Sequence, residues 1–96
     1  MKPKIGKIVY IVDKYWYSIT KDIVGYLGED SFIVKGYKLK DDNTEQYYEE
    51  FDEKWFYSFE KAKKCLKDKF ESTEWDRETK FSLKKYSDNY WQIDYE

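Results

Sequence analysis

The sequence predicts a single α+β domain, in which short antiparallel strands carry one amphipathic helix and a C-terminal β-hairpin. Three observations predict it. Runs of β-branched and aromatic residues separated by polar turns fill residues 5–57. One stretch alone, 58–70, switches to the spacing of a helix. No strand is followed by a helix and a second strand at βαβ spacing, which removes the parallel-sheet folds.

The elements follow in chain order. Ile5–Asp13 is β-branched and aromatic, as a half- to fully buried strand must be. After Tyr15-Trp16-Tyr17, the segment Ser18–Tyr26 is a second strand carrying Ile19, Ile23 and Val24. Gly28-Glu29-Asp30-Ser31 reads as a turn, and Phe32–Leu39 as a third strand, with a bulge or bend expected at Gly36. A polar turn, Lys40–Thr44, leads to a fourth strand over Glu45–Phe51 and a short extended piece around Trp55-Phe56-Tyr57. Ser58 is placed to cap a helix over Phe59–Phe70, whose Phe59, Ala62, Leu66 and Phe70 line one face. Residues 71–77 break the pattern. Lys80–Tyr86 and Tyr90–Tyr95 then alternate as a hairpin around Ser87-Asp88-Asn89.

Charge bounds the function classes. The chain carries net −2, unevenly spread: residues 1–27 hold five Lys against two acids, and 28–60 hold ten acids against four Lys. Residues 61–72 are basic again, with five Lys against two acids, and 73–96 hold six acids against four bases. An acidic middle between basic segments can steer encounter with a basic partner. The 21 aromatic rings exceed what so small a core needs, so some remain on the surface as contact anchors. One cysteine, Cys65, rules out an internal disulfide, and no apolar run reaches membrane-span length. The expected compartment is the cytoplasm of a bacterial host cell. Seventeen Lys to one Arg and a single Ala suggest an AT-rich genome.

The runs Gly6-Lys7-Ile8-Val9-Tyr10-Ile11-Val12, Ile23-Val24-Gly25, Phe32-Ile33-Val34 and Phe51-Asp52, leading into Ser58-Phe59-Glu60-Lys61-Ala62, resemble small SH3-like barrel proteins. Those proteins are common in phages and mobile elements of Gram-positive bacteria. The resemblance covers residues 5–70, implies a small barrel, and carries no functional residue across. Residues 71–96 have no counterpart in it.

Catalysis is not expected. The chain has no histidine, so the commonest general base and metal ligand is missing, and Cys65 has nothing to activate it. Neither a structural metal nor a cofactor is expected. Asp41-x-Asn43-x-Glu45 imitates the start of an EF-hand loop, but Gln46 stands at the turn-glycine position, and an ordinary polar turn is the reading adopted. Glu49/Glu50 are strand neighbours pointing to opposite faces, which spoils them as a catalytic pair.

Tyr47–Trp55 joins rings to carboxylates, and its Tyr47, Tyr48, Glu49, Glu50, Asp52, Glu53 and Trp55 are the candidate partner-binding residues. The competing account is a barrel strand that is half core and half solvated edge. Tyr90 and Trp91 are a secondary interface candidate. The expected function is a small protein-binding module encoded by a phage or mobile element. By analogy with other small proteins of such genomes, it would bind and inhibit a host defence or nucleic-acid-handling protein, in the manner of an anti-CRISPR. One alternative is nucleic-acid binding through Lys61, Lys64 and Lys67, disfavoured because the helix also carries Glu60, Asp68 and Glu71. The other is an assembly protein self-associating through edge strands.

Overall fold

The computed structural model describes residues 1–35, 45–72 and 80–94, and within them the chain is an α+β fold with one helix and a curled antiparallel sheet. The strands are β1 (Ile8–Asp13), β2 (Ser18–Leu27), β3 (Ser31–Val34), β4 (Glu45–Tyr47), β5 (Trp55–Phe56), β6 (Leu83–Ser87) and β7 (Tyr90–Ile93), and the helix α1 spans Phe59–Ser72. Along the sheet the order is β4-β3-β2-β1-β5, while β7 pairs with the start of β2 and carries β6 on its far side. The two arms leave β2 from separate stretches, one through β3 to β4 from Val24–Leu27 and one through β7 to β6 from Ser18–Thr20.

Strand alternation explains why β1 is hydrophobic almost throughout. Paired residues share a face, and the register Val9↔Asp22, Ile11↔Thr20 and Asp13↔Ser18 sets one face against Tyr10↔Lys21 and Val12↔Ile19 on the other. Both faces are covered. On the helix side Val12, Ile19, Phe56 and Ile93 pack with Ala62, Leu66 and Phe70 of α1. On the inside of the curl Val9, Ile11 and Val24 pack with Phe32, Val34 and Trp55. The expected apolar face of α1 is the buried one, and the Lys61 amide reaches the Ser58 hydroxyl at 3.4 Å.

The curl has a local cause. The β2–β3 register shifts between Val24 and Tyr26, leaving Gly25 as an extra residue on β2, and such a bulge bends the strand and raises its twist. The bend expected at Gly36 lies outside the described residues, as do the rest of the expected third strand and the Lys40–Thr44 turn. Gly28 is fixed by close approach: a Cβ there would stand 3.0 Å from the Ser31 carbonyl oxygen, which accepts the Gly28 amide at 2.8 Å. Gly6, at φ +87, turns the N-terminal segment so that its amide reaches the Val24 carbonyl.

One expectation is corrected. The fourth strand does not run from Glu45 to Phe51 but stops at Tyr47, and Tyr48–Glu50 form a 3-10 turn. The Lys54 and Glu53 amides both return to the Glu50 carbonyl, and Asp52 adopts φ 63. This compact loop lets the chain reverse and lay β5 beside β1, and Glu49 and Glu50 lie in the turn rather than as the strand neighbours expected.

Candidate functional site

A cleft of about 810 Å³ is lined by residues of both arms, with the start of β2 and the end of β1 between them. Its floor continues the inner face of the sheet, but the residues there turn from apolar to neutral polar: after Ile11 come Thr20 and Ser18, both buried, with Gln46 entering from β4. One wall is β4 with Tyr47 and Glu45. The opposite wall is the β6–β7 pair, where Tyr90 and Gln92 fall opposite Thr20 and Ser18 and so share the floor's face. Tyr86 joins this wall, its ring 6.3 Å from that of Tyr90.

Trp16 reaches the rim by way of a turn. The Asp13 carboxylate accepts the Tyr15 and Trp16 amides at 2.9 and 3.1 Å, and Tyr17 takes φ 52. Three consecutive rings are thereby divided: Tyr17 is buried against Phe70, while Tyr15 and Trp16 project outward in edge-to-face contact. Gln92 donates to the Trp16 carbonyl at 3.5 Å and the Ile93 amide to that of Tyr17 at 3.1 Å, tying the turn to the β7 wall. The rim thus carries large rings that remain in water, Trp16 at 59%, Tyr47 at 45% and Tyr86 at 56% exposure. Surface rings clustered around one concavity are a contact feature.

The cleft's charges are three carboxylates and two ammonium groups. Asp13 is committed to the turn, and Glu50 holds Lys54 at 2.7 Å, a hydrogen bond that keeps the Lys54 ammonium protonated beyond its ordinary range. Glu45 accepts the Ser31 hydroxyl at 2.9 Å. Its charge, and a hydrogen bond it accepts from the Tyr47 hydroxyl, push the Tyr47 phenol above its ordinary value.

The candidate residues of the Tyr47–Trp55 segment are separated by this geometry. Tyr47 and Glu50 line the cleft. Trp55 does not reach the surface: it is fully buried against Phe32, Phe51 and Tyr57, and its indole N–H donates to the Tyr47 carbonyl at 2.7 Å. Tyr48 is also a packing residue, stacked on Phe32 with its hydroxyl donating to the Gly28 carbonyl at 2.7 Å. Both were expected as contact anchors. Tyr48 lies on the inward side that Gln46 occupies in β4, Trp55 enters the core on β5, and the polar groups of both rings are spent inside. Glu49 and Glu53 are exposed outside the cleft lining. Asp52 faces a second hollow.

That hollow, of about 530 Å³, lies along α1 and collects Lys14, Lys61, Lys64 and Lys69 with Asp52 and Asp68 around Cys65. Burial pushes the Cys65 thiol up, with Lys14 opposing, and the thiol contacts the Glu53 carbonyl at 3.6 Å. Lys67 is not part of this group and lies 3.9 Å from Glu71. Of the C-terminal pair, Tyr90 lines the cleft while Trp91 packs on the other face against Phe59 and Tyr10.

Trp16, Tyr86, Glu45 and the polar floor were missed by sequence reasoning. The signal for Trp16 was present, since three adjacent rings in a turn cannot all be buried. Nothing local marks Ser18, Thr20 or Gln46. Among the described residues no group of three or more His, Cys, Asp and Glu is placed to hold a metal ion, and no helix is long and apolar enough to cross a membrane. Comparison with models of known families, with curated proteins and with solved structures finds no match for this chain.

Proposed function

We propose that this protein is a non-enzymatic protein-binding module that holds its partner at the aromatic-rimmed cleft. One observation carries the reading: exposed Trp16, Tyr47 and Tyr86, drawn from three separate parts of the chain, surround a single concavity with a polar floor. Tyr and Trp dominate contact energetics because they remove much area from water at small entropy cost. A strand order of β4-β3-β2-β1-β5, curled by a bulge in β2, supports reading residues 5–57 as a small SH3-like barrel. In that reading the C-terminal hairpin is an addition that supplies the second wall. A phage or mobile-element origin, a cytoplasmic setting and inhibition of a host defence protein remain part of the proposal on composition and analogy.

Site-specific photo-crosslinking tests it. A photoreactive residue at position 16, 47 or 86 is expected to yield the same adduct from a low-GC bacterial lysate, and one at the exposed Tyr26, outside the cleft, is expected to yield none. Equal adduct from position 26 overturns the assignment of the surface.

A second reading has its own observation, the four lysines around the α1 hollow, which outnumber its two acids. It makes the protein a nucleic-acid binder through Lys14, Lys61, Lys64 and Lys69 in place of the Lys61, Lys64 and Lys67 set. Crosslinking to nuclease-sensitive material would favour it.

A further inference from the structure

We infer that the protein partner docks by adding an extended strand to the free edge of β4, bonding through its main chain to the backbone of Glu45 and Tyr47; the inference rests on the protein-binding reading above.

The side chains of the cleft floor are spent on the fold. Ser18, Thr20 and Gln46 are buried, and among the described residues no buried side-chain polar atom lacks a hydrogen-bond partner. Charge does not select a ligand either, because Lys14 and Lys54 stand against Asp13, Glu45 and Glu50. What remains is main chain.

The ladder fixes where that main chain points. In an antiparallel pair, directly opposed residues alternate between those that exchange both backbone bonds and those that exchange none. The Tyr48 amide donates to the Asp30 carbonyl at 3.0 Å, so the next pair, Tyr47 with Ser31, is of the second kind. Gln46 with Phe32 is then bonded, and Glu45 with Ile33 is not. The backbone groups of Glu45 and Tyr47 therefore point away from β3. The Trp55 indole agrees with this direction, since it reaches the Tyr47 carbonyl at 2.7 Å from outside the β3–β4 ladder. Among the described residues the Glu45 amide, the Glu45 carbonyl and the Tyr47 amide have no partner. The Glu45 and Tyr47 side chains lie on the outward face of β4, opposite the buried Gln46, and leave the edge itself open.

The other sheet edges among the described residues differ. β5 is met on its outer side by its own chain, with the Asp52 amide on the Trp55 carbonyl at 2.9 Å. β6 exposes Lys84 and Lys85, and edge lysines discourage strand pairing. β4 instead borders the cleft, and its alternating donors and acceptors are complementary to one edge of another extended chain. It is three residues long, so its main-chain bonds are few. The exposed rings of Trp16, Tyr47 and Tyr86 around the cleft supply the rest of the contact.

The test is an NMR titration of the full 96-residue chain. The probe is the blocked strand-forming peptide acetyl-Ser-Thr-Val-Thr-Val-Thr-Ser-amide, set against the same peptide with every internal amide N-methylated. The first peptide is expected to move the Glu45 and Tyr47 amide signals saturably and to slow their hydrogen exchange about fivefold or more. The methylated peptide is expected to do neither. Glu45→Pro removes an amide that bonds nothing in the ladder, so it is expected to fold and to weaken binding about threefold or more. Equal effects from the methylated peptide overturn the inference on the unmodified protein, whether or not the variant folds. So does the absence of shifts at Glu45 and Tyr47 up to about 5 mM peptide, or shifts confined to Leu83 and Lys85 of β6. Protection of the Glu45 and Tyr47 amides that rises with protein concentration alone gives the edge to a second copy and also overturns it. If positions 16, 47 and 86 crosslink a protein while these amides ignore the peptide, the binding surface stands and strand addition falls. Loss of both results removes both readings.

Discussion

The Trp55 indole N–H donates to the Tyr47 carbonyl oxygen across 2.7 Å, so the two ends of the aromatic–acidic segment are fastened together with one ring inside and the other outside. That bond holds the end of β4 over the core and leaves the Tyr47 side chain at the cleft rim. It also separates the residue that folds the domain from the one offered to a partner.

Trp55→Ala is therefore expected to cost about 3–5 kcal/mol, since a fully buried indole is lost with its hydrogen bond. Trp55→Phe keeps most of the ring area and is expected to cost about 1–2 kcal/mol for the unpaired Tyr47 carbonyl. Urea unfolding of both variants measures this. A near-neutral Trp55→Ala would place the ring outside the core.

Leu66→Ala should cost about 2–5 kcal/mol, because Leu66 is fully buried between α1 and the sheet. A cost below about 0.5 kcal/mol, read from the same unfolding curves, would break the docking of α1.

At the cleft the expected pattern is the reverse. Trp16→Ala, Tyr47→Ala and Tyr86→Ala should keep the wild-type melting midpoint, since these rings are exposed, while each weakens partner capture by about thirtyfold or more. Tyr48→Ala should lower the melting midpoint, because its ring and hydroxyl are both spent on packing. Paired melting and capture measurements on the four variants decide it; capture unaffected in all three cleft variants would remove the cleft from function.

Stability should fall on the alkaline side. Burial raises the Cys65 thiol and the Tyr57 phenol above their ordinary values of 9.0 and 10.0, so the folded state holds these protons more tightly than the unfolded chain does. Their stabilising contribution is fully present below those ordinary values and is lost as pH rises through the higher folded ones. Unfolding curves taken from neutral pH upward should show this decline, and Cys65→Ala should remove its earlier part. Alkylation of Cys65 by iodoacetamide should likewise be slower than that of a free thiol at the same pH.

Random duplex or single-stranded DNA is expected to bind no more than weakly at physiological salt. Labelled oligonucleotide titration checks this. Micromolar affinity that falls steeply with salt and is lost on neutralising Lys14, Lys61, Lys64 and Lys69 would promote the nucleic-acid reading.

The α+β class, β1, β2 and α1 were legible in the sequence because each is a local pattern. Alternation of β-branched residues set the strands, and Ala62, Leu66 and Phe70 set the buried face of the helix at its own period. The aromatic surplus also foretold exposed rings. Tertiary structure alone decided which rings those are. Tyr47, Tyr48 and Trp55 look equivalent in the chain; pairing of β4 with β3 faces Gln46 inward and Tyr47 outward, Tyr48 turns its ring onto Phe32, and the loop beyond it carries Trp55 into the core on β5. The cleft is likewise invisible in sequence, because Trp16, Tyr47 and Tyr86 are brought together by the bulge at Gly25 and the docking of β7 on β2. Periodicity fixes which way a side chain points relative to its own strand. Which strands face each other across a bend is set by packing over the whole chain.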